Sequence, residues 1–220
     1  MVSCRVRLQR TKKLITQNKT GKKMKNFKEK VRNYYKPYYD KGDLAHQIDH
    51  ADSVSDLALQ INQECDEKLV VLASYMHDMF NATNRATHNE LAYYYVLEAE
   101  DKFLQELSQE EILQVAHAVL EHRGSFKGSF YSLLSAIISS ADRGLPDLDF
   151  IVIRSMKFNN EDAHDVVAHI HDKYGKNGYG NYPDIYKNIF KDELEAFHKL
   201  ADNLTVDRVL EIWRDFHHIN

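Results

Sequence analysis

Apolar residues recur along this chain with a helical period, in segments parted by short polar turns. Residues 25–40 place Phe27, Val31, Tyr34 and Tyr35 on one side of a predicted helix, which Pro37 kinks or ends. After a break at Lys41-Gly42-Asp43, residues 44–63 carry His50, Val54, Leu57 and Ile61 at i, i+4, i+7 and i+11, so an imidazole shares a face with apolar side chains. Residues 66–79 put Leu69, Ala73, Met76 and His77 on one stripe, and residues 80–87 are polar and turn-like. Thr87 with Glu90, and Ser108 with Glu111, have capping-box spacing, which opens one helix running to about residue 100 and another from 109 to about 122. The second of these buries Ile112, Val115, Ala116, Val119 and Leu120. A loop at 123–129 precedes a helix over 130–142, with Leu134, Ile137, Ile138 and Ala141 inward and Asp142 one turn after Ile138; Gly144-Leu-Pro146 stops it. Residues 150–153 are the sole strand-like run and read equally well as helix. Residues 162–174 are helical, 175–183 form the richest turn region, and two helices around 184–203 and 205–217 close the chain. The predicted class is all-α.

Composition narrows this picture. With 220 residues, 43% apolar and only three prolines and eight glycines, the chain suits one helical domain rather than a turn-rich sandwich. Residues 24–220 read as that single domain, its core over 44–145 and its extra C-terminal helices over 160–218. No apolar run approaches a membrane span. Cys4 and Cys65 are too few for a disulfide framework, which points to a reducing, cytoplasmic setting. The net charge of −4 hides an asymmetry: ten Lys or Arg precede the first acidic residue, Glu29, and the remainder carries 19 basic against 33 acidic residues. An acidic body argues against broad nucleic-acid binding. The basic segment 1–23 reads as a disordered tail, or as an extension upstream of a start at Met24; it lacks the apolar region of a secretory signal.

The chemistry concentrates in four residues. His77-Asp78 offers a divalent ion one imidazole nitrogen and one carboxylate oxygen from adjacent positions. His50 lies 27 residues earlier and Asp142 64 residues later, each on or beside the apolar face of a predicted helix. Alone, a histidine on an apolar stripe is more often a satisfied core residue, and an aspartate at a helix end is more often a cap. Together they make a mixed nitrogen and oxygen donor set that leaves coordination positions open, suited to Mn, Fe, Co, Ni or Zn and admitting Mg. Such an ion lowers the pKa of a bound water and polarises a phosphoryl oxygen. No phosphate loop, dinucleotide fingerprint or nucleophile elbow is present, which removes the obvious kinase, dehydrogenase and serine hydrolase classes.

The order His50, His77-Asp78, Asp142, the last in the run Ser-Ala-Asp-Arg, resembles the HD-domain superfamily of metal-dependent phosphohydrolases. The resemblance covers residues 44–145. It implies an HD-type helical bundle holding one divalent metal and hydrolysing a phosphorylated small molecule, above all a nucleotide, with Asp78 also catalytic. It also draws attention to His88 and His122, since some members use histidines in those regions for a second metal and others for the leaving group or for orienting phosphate. His122 and Arg143 are therefore catalytic candidates, and His88, Arg85, Arg123 and Lys127 candidate substrate contacts. The lack of another adjacent histidine pair favours one metal over two. His164-Asp165 and His171-Asp172 fall on a polar helix after the set is complete and read as solvated; His217 and His218 read as exposed. Two other classes fit the same residues: a di-iron oxygenase on this bundle, which would need His88 and His122 as ligands, and a metal-stabilised binding module. A homodimer is compatible with all three. The turn region 174–186 reads as packing rather than as a lid.

Overall fold

The computed structural model describes residues 20–42, 46–98, 100–158 and 162–219. The basic extension, apart from its last residues, thus lies outside the described residues, as does the start of the segment expected to be helical from 44. Among the described residues there are eleven helices and no strands: α1 Thr20–Tyr39, α2 Ile48–Ile61, α3 Glu67–Met76, α4 His88–Glu98, α5 Gln109–Glu121, α6 Leu133–Asp142, α7 Leu148–Phe158, α8 Ala163–Tyr174, α9 Asp184–Ile189, α10 Lys191–Asp202 and α11 Val206–Ile219.

Helix α3 is the axis of the bundle. Every residue from Leu69 to Met79 is buried, and α3 packs on α1, α2, α5 and α6. A helix apolar on all sides must be enclosed on all sides, because each exposed face would leave hydrophobic area in water. Asp66 starts it, its side chain accepting from Lys68 N at 2.7 Å. Ser108 forms the expected capping box with Glu111 at the head of α5, and Ser132 caps α6.

Two carboxylates, half-buried Asp52 and buried Asp101, bolt α1 onto this core. Asp52 on α2 receives the Arg32 guanidinium at 2.8 Å and the Tyr75 hydroxyl at 2.5 Å, joining α1, α2 and α3. Asp101 accepts from Tyr35 at 2.8 Å and Tyr95 at 3.0 Å, and also takes the Phe103 amide at 2.7 Å. A buried carboxylate is tolerable only with donors of this kind around it.

The C-terminal helices α7–α11 form a second layer, joined to the bundle chiefly where α9 meets α6. The structure resolves three points that the periodicity left open or read differently. Pro37 sits inside α1, which runs on to Tyr39; close to the helix end, a single missing N–H is all it costs. Residues 150–153 are helical within α7, settling that ambiguity. The predicted helix over 184–203 is two helices, broken at Phe190 (φ −123°, ψ 38°), whose ring packs 4.8 Å from that of Tyr186. No glycine or proline marks that break; aromatic packing against the bundle makes it.

Candidate metal centre

His77 lies at the C-cap of α3 and Asp78 in the turn that follows, so both emerge from the buried axis into the bundle interior. His50 enters from α2, Asp142 from the last turn of α6, His88 from the first residue of α4 and His122 from the C-cap of α5. Four helices around α3 therefore each deliver one side chain to the same place.

The atoms fall into two groups that share Asp78. In the first, His50 Nε2 lies 3.1 Å from Asp142 Oδ1, 3.3 Å from His77 Nε2 and 3.6 Å from Asp78 Oδ2. His77 Nε2 is 3.4 Å from Asp78 Oδ2 and 3.5 Å from Asp142 Oδ1. In the second, the other oxygen of Asp78, Oδ1, is 2.9 Å from His88 Nε2 and 3.5 Å from His122 Nε2, and those two nitrogens are 3.2 Å apart. His50, His77, Asp78 and Asp142 thus form one group able to hold an ion, and Asp78, His88 and His122 another.

The donor chemistry fits metal ions. The Nδ1 atoms of His77, His88 and His122 face the carbonyls of Ser74 (2.8 Å), Arg85 (2.9 Å) and Val119 (2.7 Å), each three residues back. A carbonyl only accepts, so each Nδ1 carries the proton and each Nε2 turns its lone pair inward. This is the outer-shell arrangement that orients metal-binding imidazoles. Neighbouring donors on an octahedral ion with bonds of about 2.1 Å stand roughly 3.0 Å apart, close to the separations here. Paired lone pairs at such range repel unless a cation, a metal ion or a proton, sits between them.

The protonation pattern expresses the same demand. Burial pushes His77 down, but Asp78 and Asp142 overrule it and raise its pKa to about 10. Burial likewise works against the ionised forms of Asp78 and Asp142. The histidines facing them prevail and hold both carboxyls well below the usual range, His77 foremost by its charge on Asp78 and His50 foremost by its hydrogen bond to Asp142. His122 goes the other way: burial lowers its pKa, which the hydrogen bond to Asp78 only partly offsets. It is a neutral imidazole at physiological pH.

The centre opens on one side. The side chains of His77, Asp78, His88 and His122 keep at most 6% of their surface, whereas His50 keeps 12% and Asp142 22%. The mouth is therefore the edge where α2 meets the end of α6.

The structure brings together six of the residues expected from sequence: His50, His77, Asp78, Asp142, His88 and His122. The cations are placed differently. Arg143 donates through Nε to Gly180 O at 3.3 Å and through Nη1 to Ser139 O and to Ser139 Oγ. Arg123 Nη1 binds Ala86 O at 2.6 Å and Lys127 Nζ binds Tyr179 O at 2.8 Å, so both brace loops, while Arg85 is exposed and meets His88 through its carbonyl. His164, Asp165 and Asp172 are exposed and His171 is half-buried. His217 is exposed; the side chain of His218 lies outside the described residues. The single-metal expectation is widened by the Asp78–His88–His122 group. The family resemblance drew attention to His88, ten residues past Asp78, but only the fold puts it back on Asp78. Ser139 was also not read from sequence: its hydroxyl donates to His122 O at 2.9 Å and receives Arg143, tying α5 to α6 behind the centre.

Residues 43–149, just under half the chain, match the family model of the HD domain. No curated protein and no solved structure matches the chain. The matched segment ends as α7 begins and contains every residue of both groups, so the possible metal site lies wholly within the part of the chain that matches the HD domain.

Proposed function

We propose that this protein is a metal-dependent phosphohydrolase that cleaves a phosphoester or phosphoanhydride bond of a nucleotide. The observation that carries the reading is the two donor groups sharing Asp78, with the Nδ1–H of three of the four imidazoles committed to backbone carbonyls and each Nε2 facing inward. His50, His77, Asp78 and Asp142 would hold one divalent ion; Asp78, His88 and His122 would hold a second. Bound there, divalent ions supply an activated water and neutralise charge on phosphoryl oxygens. The chain's own residues do the rest. Asp78 is held ionised and spans both groups through its two oxygens. His122, neutral and with its lone pair inward, is placed to accept or relay a proton whenever no ion occupies its group. Burial of His77, Asp78, His88 and His122 excludes water on every side except the Asp142 edge, through which the substrate enters. Nucleotides are favoured because the small HD hydrolases that this sequence resembles act on them. Inside an acidic body, attraction of an anionic substrate falls to the bound ions and local cations.

The test is release of phosphate and of pyrophosphate from a panel of nucleotides with added Mn²⁺, beside chelator-treated protein and Asp78→Ala. Metal-dependent release that disappears in the variant is the expected result, and the released species identifies the bond cut. No release from any nucleotide by metal-loaded protein overturns the reading. The same Asp78–His88–His122 group favours one other use, a di-iron oxygenase on this bundle. Two tightly held irons per chain with an ultraviolet–visible iron band, and no phosphate released, would mark that outcome; metal held without turnover of any kind would mark a binding module.

A further inference from the structure

His77 and Asp78 follow directly on the end of α3, and a helix end leaves its last carbonyls without intrahelical donors. Ala73 O still receives the His77 N–H at 3.0 Å, and Ser74 O faces His77 Nδ1 at 2.8 Å. Tyr75 O is taken by a side chain from another helix: the Tyr39 hydroxyl, at the end of α1, donates to it at 2.9 Å. Among the described residues no backbone carbonyl receives the Asp78 N–H. That N–H acts instead on the Tyr39 hydroxyl oxygen, which also feels the carboxylates of Asp78 and Asp142.

Tyr39 is a fixed point from which to hold that turn. It is buried, and burial raises its pKa well above the ordinary value, so the hydroxyl keeps its proton and stays a donor. Arg32, Tyr35 and Tyr39 lie at i, i+3 and i+7, on one face of α1. Each reaches a polar partner on the bundle: Arg32 to Asp52 at 2.8 Å, Tyr35 to Asp101 at 2.8 Å and Tyr39 to Tyr75 O. The first two dock the helix. The third reaches the segment from which the metal centre emerges. Packing alone would need only the ring, which phenylalanine supplies equally well; what tyrosine adds is the oxygen that Tyr75 O and the Asp78 N–H share. Asp78 has little room to shift, since its two oxygens face two donor groups at 2.9–3.6 Å. The HD match begins at residue 43, so all of α1 precedes it.

We propose that Tyr39 is a positioning residue for the metal centre: its hydroxyl, held between Tyr75 O and the Asp78 N–H, sets the direction in which Asp78 addresses both donor groups. The proposal rests on the metal-centre reading above. Tyr39 belongs to neither group and acts through Asp78. Because Asp78 is shared, loss of the hydroxyl weakens both groups together, whereas loss of His88 or Asp142 touches one. The scaffold of the centre thus extends beyond the HD match to a helix that contributes no ligand of its own.

The experiment is calorimetric titration of metal-free full-length protein with Mn²⁺, together with the visible absorption spectrum after loading with Co²⁺, for wild type, Tyr39→Phe and Tyr35→Phe. The Co²⁺ bands report ligand geometry, which a merely structural loss of stability would not move. Tyr35→Phe removes a hydroxyl one turn earlier on the same face of α1 and so controls for loosening of the helix. Tyr39→Phe is expected to bind Mn²⁺ about 10–100-fold more weakly than wild type and to shift the Co²⁺ bands, while Tyr35→Phe matches wild type in both. A wild-type Co²⁺ spectrum in Tyr39→Phe overturns the proposal whatever its affinity. An equal loss in Tyr35→Phe overturns it too, by assigning the effect to docking of α1. Where metal-free Tyr39→Phe is unfolded, the spectrum of the Co²⁺-loaded protein still decides. Failure of the hydrolase reading looks different: no nucleotide is turned over, yet Tyr39→Phe still alters the bound metal. Failure of the positioning role alone leaves both turnover and metal binding of Tyr39→Phe as in wild type.

Discussion

Asp78→Asn is the sharpest test of the centre, because this carboxylate alone belongs to both groups. Its Oδ2 faces His50 and His77 and its Oδ1 faces His88 and His122, at 2.9–3.6 Å. The amide keeps the shape and removes the charge. An ion present at a thousand times its Kd stabilises the folded chain by about 4 kcal/mol. For a chain of this size each kcal/mol moves Tm by about 2–4 °C. One filled site should therefore raise the wild-type Tm by about 8–16 °C. Losing a mere outer-shell partner weakens metal about 10–100-fold, so loss of a direct carboxylate ligand weakens it at least about a hundredfold. At the same metal concentration the variant then keeps about 1.4 kcal/mol, a shift of about 3–6 °C. The assay is differential scanning calorimetry of each protein with and without Mn²⁺, so that differences in intrinsic stability cancel. A metal-induced shift in Asp78→Asn within about 2 °C of wild type would refute the reasoning. Asp142→Asn, which touches only the first group, and His88→Gln, which touches only the second, should each retain one ion by metal analysis if both groups bind.

Three further outcomes follow from the structure. In metal-free protein the raised pKa of His77, about 10 against the ordinary 6.5, stabilises the fold fully below 6.5 and loses that contribution as pH rises towards 10; Tm should fall across this window and saturating metal should flatten the slope, whereas a flat or rising metal-free profile contradicts the assignment. His122 acts in the opposite sense, but its lowered pKa confines the effect to below 6.5. Tyr35→Phe removes one of three donors to the buried Asp101 and should cost about 2 kcal/mol, a drop of about 4–8 °C in Tm by calorimetry, with metal affinity unchanged. Ser108→Ala breaks the capping box of α5 and should cost about 1 kcal/mol in urea unfolding, read as a lower midpoint at constant slope.

Helical periodicity was enough to read the all-α class and most helix positions, because an amphipathic helix writes its buried face into local spacing; the set His50, His77, Asp78 and Asp142 was legible through its order along the chain and the family resemblance that order carries. The capping box at Ser108 was equally legible, being a contact between residues three apart. Three features were decided only in three dimensions. The break at Phe190 comes from aromatic packing on Tyr186 and has no local signature. The return of His88 and His122 to the far oxygen of Asp78 depends on how the turn after α3 sets α4 against α5, a relation between segments that spacing does not encode. The fate of the cations was also a tertiary matter. Its place after Asp142 set Arg143 above Arg123 and Lys127 as a candidate, but the folded chain commits Arg123 and Lys127 to loop carbonyls and Arg143 to Ser139 and Gly180. Which residues are polar is local information; which of them remain unsatisfied, and so await a ligand, depends on every neighbour that the fold supplies or withholds.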